Sequence, residues 1–319
     1  MIDKKIPIIA IIGPTAVGKT MFSLELARKL NAEVISVDSR QVYRYLDVGT
    51  DKIDREIRQE IIHHLIDVVD PDQVFSAADF ASQAANAAER IILRGRVPLL
   101  IGGTPFYYKA LLGSLSEDLP KDENIRRELE IEADSEGLTS LHTVLSEVDP
   151  VAATKIHPND PVRIMRALEI YRITGKSATW WYEHQKRISS PYDILYLGLI
   201  RDRANLYTNI ERRVKVQFAS GYPEEVEWLL LHGYSPKLPA LQGFGYRELV
   251  EYLQGKCSFE DAINGDIRST KAFSRRQMTW FKHFEPSTWY DFDTTTLNDV
   301  LKDALDKCLK HLETGGQKK

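Results

Sequence analysis

The chain has 319 residues, 43% of them hydrophobic and 28% charged, with 18 Gly and 14 Pro; this length allows about two domains at roughly 150 residues each, and the composition excludes disorder and collagen-like repetition. A net charge of −4 excludes nucleic-acid binding through overall charge, so any such partner must be held by local patches. No apolar run approaches the roughly 20 residues of a membrane span, and the two cysteines, Cys257 and Cys308, form neither a C-x-x-C pair nor a metal spacing, so a cytoplasmic protein with free thiols and no membrane association is expected.

Residues 6–12, IPIIAII, form an unbroken apolar run, the pattern of a strand buried on both faces. A Gly-rich loop and the helical stretch KTMFSLELARKL follow. Further apolar runs at 33–38 (EVISVD), 65–69 (LIDVV), 97–103 (VPLLIGG) and 194–200 (ILYLGLI) are separated by helical patterns, which predicts an α/β fold on a parallel sheet. Ser76 and Asp79 have capping-box spacing at the start of a helix over 76–94, and Gly95 is placed to end it. From about 117 to 193 strand patterns stop. That stretch is expected to be a helical insertion into a core made of 1–116 and 194–319. After Ile200 the patterns are helical to the C-terminus and include 268–283, where Arg268, Lys271, Arg275, Arg276 and Lys282 occur without an acidic residue. Within that segment Phe273, Gln277, Trp280 and Phe284 recur at helical spacing, which predicts an inward face.

Four positions after strands can carry chemistry. Gly13-Pro-Thr-Ala-Val-Gly18-Lys19-Thr20 matches G-x-x-x-x-G-K-[ST] between a predicted strand and a helix, the context of a phosphate-binding P-loop. In such a loop, backbone N–H groups turn inward around phosphate oxygens and Lys19 adds a charge. Thr20 can ligate Mg²⁺, and the helix dipole favours an anion. Asp38 ends the second strand and is placed in the crevice at the strands' carboxyl ends. There a carboxylate suits a general base, a structural cap or an acid associated with Mg²⁺. Gly102-Gly103-Thr104 brings a close backbone approach and a hydroxyl to the same crevice. Arg201 and Arg203, with Arg212, Arg213 and Lys215 on the next helix, supply cations that can neutralise phosphate. Fold logic therefore reaches a P-loop NTPase-like transferase without naming the transferred group.

Eight blocks in order resemble the bacterial tRNA dimethylallyltransferases, also called tRNA isopentenyltransferases. Among them are GPTAVGKT (13–20), VDSRQVYRYLDVGT (37–50), GGTPFYYKALL (102–112), RIMRALEIYRITG (163–175), GFGYREL (243–249) and SRRQMTWF (274–281). The resemblance implies transfer of a dimethylallyl group from dimethylallyl diphosphate to N6 of the adenosine 3′ of a tRNA anticodon, with Mg²⁺ as cofactor and a monomeric enzyme gripping the anticodon stem-loop through its insertion. It implies a diphosphate cradle at Gly13, Thr15, Ala16, Gly18, Lys19 and Thr20, with Thr20 on the metal. Asp38, Thr104 and Arg213 take the catalytic positions, and Ser39, Arg40, Gln41, Arg126, Arg163 and Arg166 face the tRNA. It also makes 268–283 an RNA-facing helix. The chain departs from the family pattern where G-T-A-K-P is replaced by Gly49-Thr50-Asp51-Lys52-Ile53, and where an Arg is replaced by Asn209; Arg213 is then the expected diphosphate clamp. The neighbouring readings are a free-nucleotide isopentenyltransferase, against which the Arg126 and Arg163–Arg166 blocks speak, and a small-molecule P-loop kinase.

Overall fold

The computed structural model describes residues 5–113, 119–184, 190–284 and 288–315. The chain divides into two compact units, one formed by residues 1–112 together with 190–319, the other by 113–189.

The first unit begins with β1 (Ile6–Ile12), α1 (Lys19–Leu30), β2 (Ala32–Ser36), α2 (Arg55–Glu60), β3 (His63–His64), α3 (Ala77–Leu93), β4 (Val97–Ile101) and α4 (Pro105–Leu111). The second unit holds α5 (Glu123–Glu136), α6 (Leu138–Val148), α7 (Pro150–Lys155), α8 (Pro161–Thr174) and α9 (Ala178–His184). The first unit resumes with β5 (Tyr192–Ile200), α10 (Arg203–Ala219), α11 (Tyr222–Leu231), α12 (Tyr246–Leu253), α13 (Phe259–Phe281), β6 (Thr288–Asp291) and α14 (Leu297–Thr314).

The six strands form one parallel sheet in the order β3-β2-β4-β1-β5-β6. Its centre explains the uninterrupted apolar run of β1. Side chains alternate across a strand, so Ile9 and Ile11 enter one hydrophobic core while Ile8, Ala10 and Ile12 enter the other, all fully buried. Each such isoleucine contributes about 1.5–3 kcal/mol of burial, enough to fix β1 and the loop that leaves it. The capping box at Ser76 and Asp79 forms as the spacing predicts, and Gly95 follows the end of α3 at φ 69. Cys308 is buried and Cys257 half-buried, and both are free thiols. Among the described residues no helix is long and apolar enough to cross a membrane.

The second unit has its own core around Leu129, Leu141, Leu145, Ile164, Leu168 and Ile170. Glu169 is buried with it and is held by Arg126 (Nε–Oε1 3.0 Å) and by Arg166.

Three expectations fail. LIDVV (65–69) is not a strand: Leu65 and Asp67 take left-handed φ of 63° and 57°, which an extended ladder cannot accommodate, and pairing with β2 passes to His63 and His64. A single bridge, Tyr43 to Val69, remains there. The sixth strand, β6, lies in the stretch read as helical throughout, where four residues at a sheet edge leave no periodic signal. Trp280 is exposed, under Lys109 (Nζ 4.6 Å from the ring centre), and Phe281 is the ring buried in its place.

Candidate active site

The carboxyl ends of β1, β2, β4 and β5 converge on one cavity of about 590 Å³, lined by the 15–20 loop, Asp38 to Gln41, Gly49 to Asp51, Gly102 to Thr104, Arg201 and Arg213. This is the crevice that a parallel sheet reserves for ligands.

The loop after β1 is shaped by its glycine. Gly13 has φ 150° and abuts the end of β5, where a Cβ would lie 2.6 Å from the carbonyl oxygen of Leu199. Lys19 folds back, donating from Nζ to the carbonyls of Gly13 (2.9 Å) and Pro14 (2.7 Å). Burial, assisted by the nearby Arg213 cation, pushes its pKa down to about 7, while Asp38 and Asp51 oppose that shift. Gly18 caps α1 without a side-chain acceptor, so the helix meets the loop with backbone N–H groups. Thr20 is exposed in the first turn of α1, and Ala16 takes a left-handed φ of 62°. The Thr15 N–H, expected to meet phosphate, is already donated to Gln277 Oε1 (2.8 Å).

Asp38 follows β2. Its Oδ1 accepts from the N–H groups of Arg40 (2.8 Å) and Gln41 (3.3 Å), a turn that fixes the carboxylate at the cavity wall. Beside it, Gly102 brings the ends of β2 and β4 together, since a Cβ there would lie 2.0 Å from the Val37 carbonyl oxygen. The approach lets the Thr104 N–H donate to that carbonyl, and Thr104 Oγ1 in turn accepts from the Ser39 N–H (3.1 Å). Asp38, Ser39 and Thr104 are therefore one connected rim.

The spacing of Gln277 predicts only an inward residue, yet it joins two parts of the cavity. Buried on α13, it accepts from Thr15 and donates to the Gly103 carbonyl (2.7 Å). Glu225, on α11, carries no role that its local sequence pattern shows; it accepts from the N–H groups of Asp47 (2.7 Å), Val48 (2.6 Å) and Gly49 (3.1 Å) and from the Tyr246 hydroxyl (2.6 Å). The signals were faint because each pairing spans well over a hundred residues of sequence, apart from the one with Tyr246.

Several expected contact residues already have partners. Gln41 accepts from Ser36 Oγ and donates to the Thr50 and Asp51 carbonyls, fixing the 49–53 loop. The Arg40 guanidinium lies 4.6 Å from the Phe244 ring centre and 4.8 Å from that of Tyr246, and donates to the Phe244 carbonyl. Arg201 is bound to Asp293 and to the carbonyls of Val17 and Phe292, so it anchors β6 to the loop. Arg213 faces the cavity and meets Asp51 at 3.4 Å. Asn209 reaches the Ala16 carbonyl at 3.4 Å. In the second unit Arg126 and Arg166 neutralise Glu169, and Arg166 also binds the Leu119 and Pro120 carbonyls. Arg163 is 63% exposed and pairs only locally, with Asp160. On α13, Lys271 pairs with Glu211 and Arg275 donates to the Tyr207 hydroxyl, whereas Arg268 and Arg276 are exposed.

The family model described as IPP transferase matches residues 41–284. A tRNA dimethylallyltransferase of Geobacter sulfurreducens is 43% identical over 288 residues, covering 90% of this chain and 93% of the relative. One from Thermotoga neapolitana is 43% identical over 301 residues, covering 94% and 95%. Among solved structures, the full-length tRNA isopentenylpyrophosphate transferase of Bacillus halodurans superposes with a TM-score of 0.73 at 39% identity, covering 98% of each chain. A eukaryotic dimethylallyltransferase described as acting on tRNA gives 0.78 at 29% identity, covering 95% of this chain and 80% of its own. A P-loop crevice at the sheet's carboxyl edge and similarity over nearly the full length lead to one assignment: the chain belongs to the IPP transferase family.

Proposed function

We propose that this protein transfers the dimethylallyl group of dimethylallyl diphosphate to N6 of the adenosine immediately 3′ of a tRNA anticodon, acting as a cytoplasmic monomer. The observation that carries the reading is that Asp38 and the P-loop line one and the same cavity, in a chain of this family.

The diphosphate binds where the α1 N-terminus and Lys19 converge. Its charge restores the Lys19 proton that burial disfavours, so Lys19 is positively charged when the leaving group needs it. The N6 nitrogen attacks the allylic carbon as the carbon–oxygen bond to diphosphate breaks, and Asp38 takes the proton that N6 loses. The Asp38 turn and the Thr104–Ser39 contact hold that carboxylate in place. A stacked adenine cannot enter the cavity, so the base must leave the anticodon-loop stack at a cost of about a few kcal/mol.

Thr20 offers a hard hydroxyl donor in the position where a P-loop holds Mg²⁺, and that donor type fits the ion. Among the described residues no group of three or more His, Cys, Asp or Glu could hold a metal, so donor phosphates and water would complete the coordination. Bound there, Mg²⁺ would offset the charge of the departing diphosphate.

The test is mass spectrometry of an unmodified anticodon stem-loop incubated with the protein, Mg²⁺ and dimethylallyl diphosphate. One added C5H8 unit on the adenosine 3′ of the anticodon is expected. Modification of AMP with the stem-loop untouched would overturn the tRNA assignment.

A further inference from the structure

Asp51 is an anion inside a cavity built to receive anions. Its Oδ2 lies 3.4 Å from Arg213 Nη1, and its side chain is 54% exposed, whereas that of Arg213 is 24% exposed. Arg213 Nε is buried and has no hydrogen-bond partner among the described residues. Arg40 is caged by two rings and Arg201 is bound to Asp293, so among the described cavity-lining residues Lys19, Arg212 and Arg213 are the cations left to meet phosphate, and Arg213 already faces a carboxylate.

The placement of Asp51 is built. Glu225 accepts three N–H groups from 47–49, Gln217 donates to the Val48 carbonyl (2.7 Å), and Gln41 donates to the carbonyls of Thr50 and Asp51. The Asp51 N–H donates back to Val48, which closes a turn with Asp51 at a left-handed φ of 55°. Aspartate and asparagine tolerate that conformation better than other residues with side chains. The carboxylate is thus delivered to Arg213 by a loop tied at several points.

We propose that Asp51 is a specificity-determining residue, whose carboxylate competes with phosphate for Arg213 and repels polyphosphate from the cradle. An incoming diphosphate must displace it from Arg213 and remain near it. The cradle consequently holds diphosphate loosely, which eases its departure after transfer, and disfavours the more highly charged triphosphates.

This inference rests on the diphosphate reading above, and the test separates the two. Inorganic pyrophosphate and tripolyphosphate are titrated calorimetrically into the full chain at fixed Mg²⁺, with wild type, Asp51→Asn and Asp51→Gly. Both variants keep a residue suited to the left-handed turn. Pyrophosphate should bind each variant about two- to fivefold more tightly than wild type, the range expected for releasing a partly exposed ion pair, and tripolyphosphate should gain more. Unchanged or weaker pyrophosphate binding in both variants would overturn the role of Asp51. Absence of pyrophosphate binding to wild type would instead overturn the diphosphate cradle itself.

Discussion

Replacing Gln277 by methionine keeps the length of the side chain and removes both polar contacts. The Gly103 carbonyl then loses a 2.7 Å bond in a buried setting, and the half-buried Thr15 N–H loses one of 2.8 Å. A buried polar group left unpaired costs about 1–3 kcal/mol, and the more accessible Thr15 N–H about 1 kcal/mol, so the variant should be about 2–4 kcal/mol less stable. Because Thr15 belongs to the phosphate loop, the donor KM should rise more than kcat falls. Urea unfolding followed by circular dichroism, with steady-state kinetics on the same preparation, checks both. A methionine variant within about 0.5 kcal/mol of wild type and with an unchanged donor KM would refute the bridging role.

Asp38→Asn keeps an acceptor for the turn and removes the proton acceptor, so kcat should fall by about 10²–10⁴ with pyrophosphate binding retained; equal turnover would remove the general-base role. Lys19, with its pKa near 7 in the free cradle, is largely neutral at pH 8.5 and must take up a proton when diphosphate binds. Calorimetry in buffers of different ionisation enthalpy should show uptake approaching one proton at pH 8.5, little at pH 6 and none in Lys19→Met. The same depressed pKa means that the folded state disfavours the Lys19 charge, so this residue's penalty is fully present below pH 7 and is relieved as pH rises toward the unfolded value near about 10.4. Arg163→Ala should reduce the salt slope of stem-loop binding by about 0.7, as loss of one phosphate contact does. Arg126→Ala should cost about 1–2 kcal/mol in stability by weakening the Glu169 pairing, read from unfolding midpoints.

How much of this was legible follows from where the information sits along the chain. The phosphate loop, Asp38 and Gly102-Gly103-Thr104 are read from the sequence because each is a local pattern attached to the end of an apolar run. The parallel sheet is legible for the same reason, and its outermost strands are not: His63–His64 and Thr288–Asp291 are too short to show alternation. LIDVV misleads because apolarity resembles a strand while the backbone at Leu65 and Asp67 is left-handed. Arg126 and Arg166 read as cations for a partner, yet buried Glu169, three residues beyond Arg166, claims both. Gln277 and Glu225 act through partners brought near only by the completed fold.

The central strand receives its two neighbours at very different times. β4 is synthesised about midway between β1 and β5, and β5, which pairs Gly198 with Ile12, follows only after the entire 113–189 unit has been made. Until then β1 presents an open, wholly apolar edge, the kind of surface that invites pairing with another chain. Gly13 also lacks the Leu199 carbonyl against which it is seated. A nascent chain halted before Tyr192 is therefore both unable to finish its phosphate loop and prone to aggregate, so chaperone dependence during translation should concentrate in the interval between the emergence of β4 and that of β5.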